Sequence, residues 1–122
     1  MLKLAKKRLN KKGKILIFLI NSKKNEIPCF DLMELNLNKS FKKDEYLLKL
    51  IKKYLPKNKM KKFSYKVKIS RKNYMNMIKK RYISCLLSMS NKNLHKGLEQ
   101  IKLKYNKNIA FNDKLICLIY KN

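Results

Sequence analysis

The chain has few of the residues that usually form recognisable sites. Its 122 residues include no tryptophan, one histidine, three cysteines, two glycines and two prolines. Because Cys29, Cys85 and Cys117 are widely spaced and odd in number, the sequence predicts neither a disulfide framework nor a zinc site. We expect them to be small buried side chains in a reducing, cytoplasmic compartment. His95 has no second histidine nearby, so we expect it on the surface and predict no metal site.

Long apolar runs are absent as well. No run approaches the roughly 18 residues that a membrane-spanning helix needs, so we predict no transmembrane segment. The apolar periodicity of the basic stretch at Met1 continues into the fold, so we do not interpret it as a cleaved targeting peptide. With 122 residues, of which 45% are hydrophobic, the sequence predicts a single domain over residues 1–122.

Acidic residues are scarce. Seven of them stand against 33 lysines and arginines, which leaves a formal charge of +26. Such a charge is typical of proteins that bind polyanions. Only three of the basic residues are arginines, however, and lysine is spread over every segment beside fourteen asparagines. Lysine and asparagine have A/T-rich codons, so nucleic-acid binding and a skewed genome both explain this composition.

The apolar residues concentrate in short runs. Lys14–Asn21 follows Gly13 and holds six apolar residues, many of them β-branched, which favours a strand. Leu115–Tyr120 is equally apolar. Because neither run alternates, we expect two interior strands, the first of them buried on both faces. Phe63–Ile69 alternates apolar and polar residues, which is typical of a half-exposed strand near a sheet edge.

Helical periodicity fills the intervals between these strands. We predict helices over Leu2–Leu9, just after Pro28, and over Asp44–Leu55, Arg71–Leu87 and Asn91–Tyr105. Ser70 is placed to cap the fourth of these helices, and Ser90 or Asn91 is placed to cap the last. Residues 106–108 and 111–113 are predicted turns. This order of elements predicts an α/β fold.

A polar loop, residues 22–26, follows the first strand. In open α/β sheets the loops at the carboxyl ends of strands line the ligand crevice. Asn21 and Ser22 are therefore candidate substrate-binding residues by position. An ordinary solvated loop is the alternative.

Four segments carry a family resemblance. Residues 9–14 read Leu-Asn-Lys-Lys-Gly-Lys, and residues 73–84 contain Met-Ile and Arg-Tyr-Ile-Ser. The other two segments are residues 98–101, in the last predicted helix, and residues 111–115, which lead into the last predicted strand. Together they resemble the second half of class I S-adenosylmethionine-dependent methyltransferases, in particular the type-11-like branch. In that family the first segment is a Leu-Lys-Pro-Gly-Gly-like turn, from which this chain lacks the proline and one glycine.

The resemblance implies a partial Rossmann-like sheet with flanking helices, made of the family's strands five to seven, with the last strand antiparallel in the middle. It also implies methyl transfer from S-adenosylmethionine to an unidentified small molecule, by a fragment or degenerate copy of such an enzyme. The family's cofactor site lies in its first half, which this sequence lacks. We therefore do not expect the chain to bind the cofactor alone. We expect a complementary half, or a second copy, at an exposed sheet edge.

Within this family resemblance, three residues are candidates for the substrate side. The planar fork of Arg81 suits a carboxylate or phosphate, and Tyr74 and Tyr82 would form pocket walls. Core packing of the tyrosines and a solvated helix face for Arg81 are the alternatives. No catalytic residue is assigned.

A small basic RNA-binding or ribosome-associated protein is a second hypothesis. The tyrosines interleaved with lysines, such as Tyr54, Tyr65 and Tyr105, suit base stacking beside phosphate contacts. The scarcity of arginine and the absence of a known RNA-binding signature count against it. A third hypothesis has the sheet edge bind a partner chain by strand addition.

Overall fold

A computed structural model describes residues 1–23 and 25–122 as a mixed α/β fold. Lys24 of the predicted polar loop lies outside the described residues. The elements follow in the order α1 (Leu2–Lys7), β1 (Lys14–Ile20), α2 (Asp31–Tyr54), β2 (Asn58–Ser70), α3 (Arg71–Lys79), a 3₁₀ turn (Ser84–Leu86), α4 (Asn91–Lys104) and β3 (Asn108–Lys121).

The carboxyl-terminal strand lies at the centre of a three-stranded antiparallel sheet, in the order β1-β3-β2. β1 and β3 pair with Ile15 opposite Tyr120. The end of β2 adjoins the start of β3, where the amide of Arg71 donates to the carbonyl of Lys107 at 2.7 Å. The prediction that the last strand lies antiparallel between the other two is confirmed.

The residues cluster into two compact units. The first contains Met1–Asn25, Phe41–Ser64 and Lys114–Asn122, and the second contains Glu26–Ser40 and Tyr65–Asp113. Each unit buries apolar side chains of its own.

In the first unit, α1 and the second half of α2 cover one face of the β1–β3 pair. The apolar core combines one side chain of α2 and the residue just after this helix with two side chains of β3, and five half-buried side chains pack around them. The four core residues are Ile51, Leu55, Leu118 and Tyr120, and the five around them are Leu2, Leu9, Ile15, Ile17 and Leu48. Since Ile15 and Ile17 alternate with residues of the opposite face, β1 turns only one of its faces to this core.

The opposite face of β1 is exposed, and the prediction that both faces are buried is wrong. Leu16 is 52% exposed and Phe18 is 58% exposed. The side chains of β1 therefore alternate between the core and the solvent, since the described residues leave Leu16 and Phe18 more than half exposed. The same strand is hydrogen-bonded on one edge only in the part of the chain that the structure describes.

In the second unit, α3 begins at its predicted cap, Ser70, and α4 begins at Ser90, one of the two residues predicted for its cap. Ser70 Oγ accepts a hydrogen bond from the amide of Asn73 at 3.1 Å, and Ser90 Oγ accepts one from the amide of Asn93 at 3.2 Å. Each cap satisfies an amide of the first turn that has no partner within the helix. The core of this unit includes Phe30, Met33, Tyr74, Ile78, Leu86, Leu98 and Ile101.

Several element boundaries differ from the prediction. α2 is one helix of 24 residues rather than two, since residues 38–40 contain neither proline nor glycine and nothing interrupts it. It ends before Pro56, as predicted. α3 ends at Lys79, because Arg81 adopts a φ of 54° that a helix excludes. β3 begins at Asn108 and continues through the second predicted turn.

The cysteines are free and buried, as predicted, and His95 is exposed. Within residues 1–23 and 25–122, no helix combines the length and apolar character needed to cross a membrane.

Candidate substrate-binding residues and a basic groove

Tyr74 is held in the core of the second unit by both its ring and its hydroxyl. Its side chain is 1% exposed, and its hydroxyl donates to the carbonyl of Pro28 at 2.6 Å. The ring packs edge-on against the rings of Tyr82 and Phe111, with centroids 6.0 and 6.4 Å away. Burial, followed by the neighbouring Tyr82, raises the pKa of Tyr74. Such a side chain stabilises the core and offers almost no surface to a ligand.

Tyr82 combines a tethered hydroxyl with an accessible ring. Its hydroxyl lies 3.0 Å from that of Tyr74, while 40% of its surface is exposed. Burial of the hydroxyl end raises the pKa of Tyr82 to about 12, so the group is protonated at neutral pH. Of the three residues predicted in this unit, Tyr82 has an aromatic surface that a substrate can contact.

Arg81 binds within its own loop. One guanidinium nitrogen, Nη1, donates to the carbonyl of Leu86, and Nη2 donates to Oδ1 of Asn91 at 3.0 Å. These contacts tie the end of α3 to the start of α4 across the 3₁₀ turn. The guanidinium therefore has a structural role, and binding of an anionic substrate there requires it to share or release these acceptors.

Asn21 and Ser22 belong to the first unit and have local partners as well. Oδ1 of Asn21 accepts from the amide of Lys23 at 3.1 Å, and Oγ of Ser22 donates to a carboxylate oxygen of Glu45 at 3.1 Å. Both side chains are half-buried. The Ser22 contact attaches the loop after β1 to α2, and the Asn21 contact lies within the loop. The structure thus brings Tyr74 and Tyr82 together in the second unit and places the loop residues in the first.

A basic groove of about 440 Å³ lies between α3 and α4 in the second unit. Five cationic side chains and one carboxylate line it beside smaller groups; the residues are Arg71, Lys72, Lys79, Lys102, Lys107 and Glu99, with Ser70, Met75 and Asn76. This groove is not among the sites predicted from the sequence. Arg71, Met75 and Lys79 are spaced four residues apart, which predicts that they share one face of α3. This spacing does not predict which helix packs beside that face.

Arg71 has a fixed position at one side of this groove. Its Nη1 donates to the carbonyls of Lys102 at 2.9 Å and of Tyr105 at 2.8 Å. Carbonyls in the last turn of a helix lack partners within the helix, and a cation there also interacts favourably with the helix dipole. Arg71 therefore joins the start of α3 to the end of α4 and holds its charge in place.

The lysines of the groove have no acidic partner in the described part of the chain. Among the carboxylates of residues 1–23 and 25–122, none lies within ion-pair distance of Lys72, Lys79, Lys102 or Lys107. Glu99 is the one carboxylate of the lining, and it forms no ion pair with them. The five cations and one carboxylate therefore give the groove a net positive charge.

Cys29 is not suited to nucleophilic chemistry. Its side chain is buried, and burial, with smaller effects from Cys85 and Glu34, raises the pKa of its thiol to about 12. Because the thiolate is the nucleophile, a thiol of this kind is inert at neutral pH. Among residues 1–23 and 25–122, no group of three or more histidines, cysteines or carboxylates is placed to hold a metal ion.

The described residues do not fit S-adenosylmethionine. A cofactor-binding loop needs glycine where the backbone turns sharply or approaches the ligand. Gly97 lies inside α4 against the ring of Phe30, Gly13 lies against Leu9, and neither has a positive φ. In the described part of the chain, every buried side-chain nitrogen and oxygen already has a hydrogen-bond partner. None of these atoms is left for a ligand to satisfy.

Comparison of the chain with protein-family models, with curated proteins and with solved structures found no match.

Proposed function

We propose that the chain is the carboxyl-terminal portion of a class I S-adenosylmethionine-dependent methyltransferase of the type-11-like branch, acting on a small molecule. The observation that carries the proposal is the strand order β1-β3-β2, with the last strand antiparallel between two strands that precede it. Strands adjacent in sequence are neighbours in roughly two-thirds of cases, yet β1 and β2 are separated here. The family resemblance implies this particular order.

The open side of β1 supports the same proposal. β1 presents unpaired backbone groups along one edge in the described part of the chain and exposes Leu16 and Phe18 on one face. A long apolar edge strand promotes aggregation unless something covers it. A complementary portion that adds a strand along β1 and a helix layer over these side chains would bury both surfaces.

In this proposal, two portions of the enzyme have different roles. S-adenosylmethionine would supply the methyl group and would be held by the complementary portion, since the residues described here do not fit it. This chain would complete the sheet through β1 and contribute to the substrate side. Tyr82, with its accessible ring, is the residue that we assign to substrate contact.

The test is to express the reading frame upstream of Met1 together with this chain and to titrate the purified complex with S-adenosylmethionine by calorimetry. We expect micromolar binding by the complex and none by the chain alone. Micromolar binding by the chain alone, or a complex that ignores the cofactor, would overturn the proposal.

A pair of double variants tests the site of assembly. Leu16→Lys with Phe18→Lys places two charges on the open face of β1 and should abolish the complex. Leu87→Lys with Leu103→Lys makes the same change at exposed leucines outside β1 and should leave the complex intact. Equal effects of the two double variants would show that assembly does not use β1.

A further inference from the structure

The groove between α3 and α4 carries a positive charge to which the proposed methyl transfer assigns no role. Five cationic side chains face one carboxylate around a concave surface. The potentials of like charges add in a cleft with low-dielectric walls, which raises the local concentration of anions. Lysine is common throughout this chain, so the number of lysines alone does not distinguish the groove. Its concave shape and the anchored Arg71 do.

We propose that this groove binds a run of consecutive phosphate groups, as in the backbone of single-stranded RNA. A single phosphate carries at most two negative charges, fewer than the five cations of the groove. Lys72 and Lys79 lie seven residues apart on one face of α3, which separates them by about 10 Å along the helix axis. A single phosphate would contact both only if the two flexible side chains bent towards each other, whereas successive phosphates of a strand meet each lysine along its own part of the helix.

The anchoring of Arg71 favours this ligand further. Its guanidinium is already ordered by the carbonyls of Lys102 and Tyr105, so an anion that binds there orders one side chain fewer. The lysines have no ion pairs to break in the described residues. Each phosphate contact thus forms without the loss of an existing salt bridge.

Fluorescence anisotropy with a labelled uridine oligonucleotide of about 12 residues tests the proposal. If five contacts form, the logarithm of the affinity falls with the logarithm of the salt concentration with a slope of about −3.5. This slope corresponds to a loss of about a hundredfold between about 50 and 200 mM salt.

Two triple variants separate the groove from the total charge. The groove variant carries Lys72→Gln, Lys79→Gln and Lys102→Gln, and its salt slope should become shallower by about 2. The control carries Lys68→Gln, Lys92→Gln and Lys96→Gln, which remove the same charge from exposed positions outside the groove lining. Circular dichroism checks that both variants are folded. Equal losses of affinity and slope in the two variants would overturn the proposal.

Two further measurements test the charge of the lining and the kind of ligand that binds there. Glu99→Gln removes the carboxylate of the lining and should tighten RNA binding, and an unchanged or weaker affinity would contradict the proposal. Competition with tripolyphosphate identifies the source of the phosphates. Displacement of RNA at equal phosphate concentration would assign the groove to small polyphosphates, and its failure would assign the groove to a nucleic-acid strand.

Discussion

The hydroxyl of Tyr74 on α3 donates a hydrogen bond of 2.6 Å to the carbonyl of Pro28, a residue 46 positions earlier in the chain. The same hydroxyl lies 3.0 Å from that of Tyr82. One phenol thus joins α3, the segment that precedes α2 and the loop that follows α3. Because Tyr74 is buried, these contacts contribute to the stability of the second unit rather than to an open site.

Tyr74→Phe should lower the free energy of unfolding by about 1–3 kcal/mol, since it leaves the buried Pro28 carbonyl without its donor while it keeps the ring. Urea denaturation followed by circular dichroism measures this change. Tyr46→Phe is the matched control, because Tyr46 is exposed and should change the stability by less than about 0.5 kcal/mol. Equal changes in the two variants would contradict the structural role of the Tyr74 hydroxyl.

The stability that Tyr82 provides should depend on pH. Burial raises the pKa of Tyr82 to about 12 in the folded protein. The pKa of a tyrosine in an unfolded chain is about 10. The protonated hydroxyl therefore contributes stability that is complete below the unfolded pKa and is lost as the pH rises through the folded pKa.

The measurement is the difference in the free energy of unfolding between the wild-type protein and Tyr82→Phe. This difference should fall as the pH rises from about 9 towards 12, in the window between the two pKa values. Deprotonation of the many lysines in this range affects both proteins alike and cancels. A difference that stays constant with pH would show that Tyr82 is not perturbed by folding.

Gly97→Ala should destabilise the second unit. A Cβ at this position would overlap the ring of Phe30, which is itself 1% exposed and has no room to move. We expect a net loss of about 1 kcal/mol or more, since overpacking costs about 1–3 kcal/mol and the better helix propensity of alanine offsets up to about 1 kcal/mol.

Gly13→Ala is the control for Gly97→Ala. There the new Cβ would meet the half-buried side chain of Leu9 and lie 3.1 Å from the carbonyl oxygen of Asn10, and Gly13 has no positive φ. Because Leu9 is less buried than Phe30, it has more room to shift. The loss in thermal midpoint should therefore be smaller than for Gly97→Ala. A larger loss at Gly13 would contradict the contact between α4 and Phe30.

High salt should cause the isolated chain to associate. A charge of +26 keeps copies apart at low ionic strength, and the Debye length falls to about 3 Å near 1 M salt, which removes this repulsion. The open edge of β1, with Leu16 and Phe18 exposed, then has nothing to prevent pairing. Sedimentation velocity should show association at about 1 M salt and a monomer at about 50 mM salt.

The double variant Leu16→Lys with Phe18→Lys should remain monomeric at high salt, while Leu87→Lys with Leu103→Lys should associate like the wild-type protein. A wild-type chain that stays monomeric at high salt would show that the edge of β1 is protected.

Much of the fold is predictable because it depends on local patterns. The serines that begin α3 and α4, the proline that ends α2 and the central position of the last strand are confirmed. The burial of β1 is not predictable in this way, because an apolar side chain has the same identity on a covered face and on an open one. The positive φ of Arg81 is not predictable from the sequence either, because contacts of its side chain with Leu86 and Asn91 stabilise this backbone conformation.

The candidate sites differ in the same way: one depends on residues close in sequence and the other on residues brought together by packing. The spacing of Tyr74 and Tyr82 in one segment is visible in the sequence, and they do pair. The basic groove was missed, because Lys79 and Lys102 become neighbours only when α3 packs beside α4.

By itself, the sequence determined which segments form helices and strands and where most of them begin, since periodicity, caps and breakers act over a few residues. Tertiary structure alone decided which face of β1 is covered, which hydroxyl Pro28 binds and where positive charge gathers. These properties depend on residues far apart in the chain, and only packing brings such residues within contact distance.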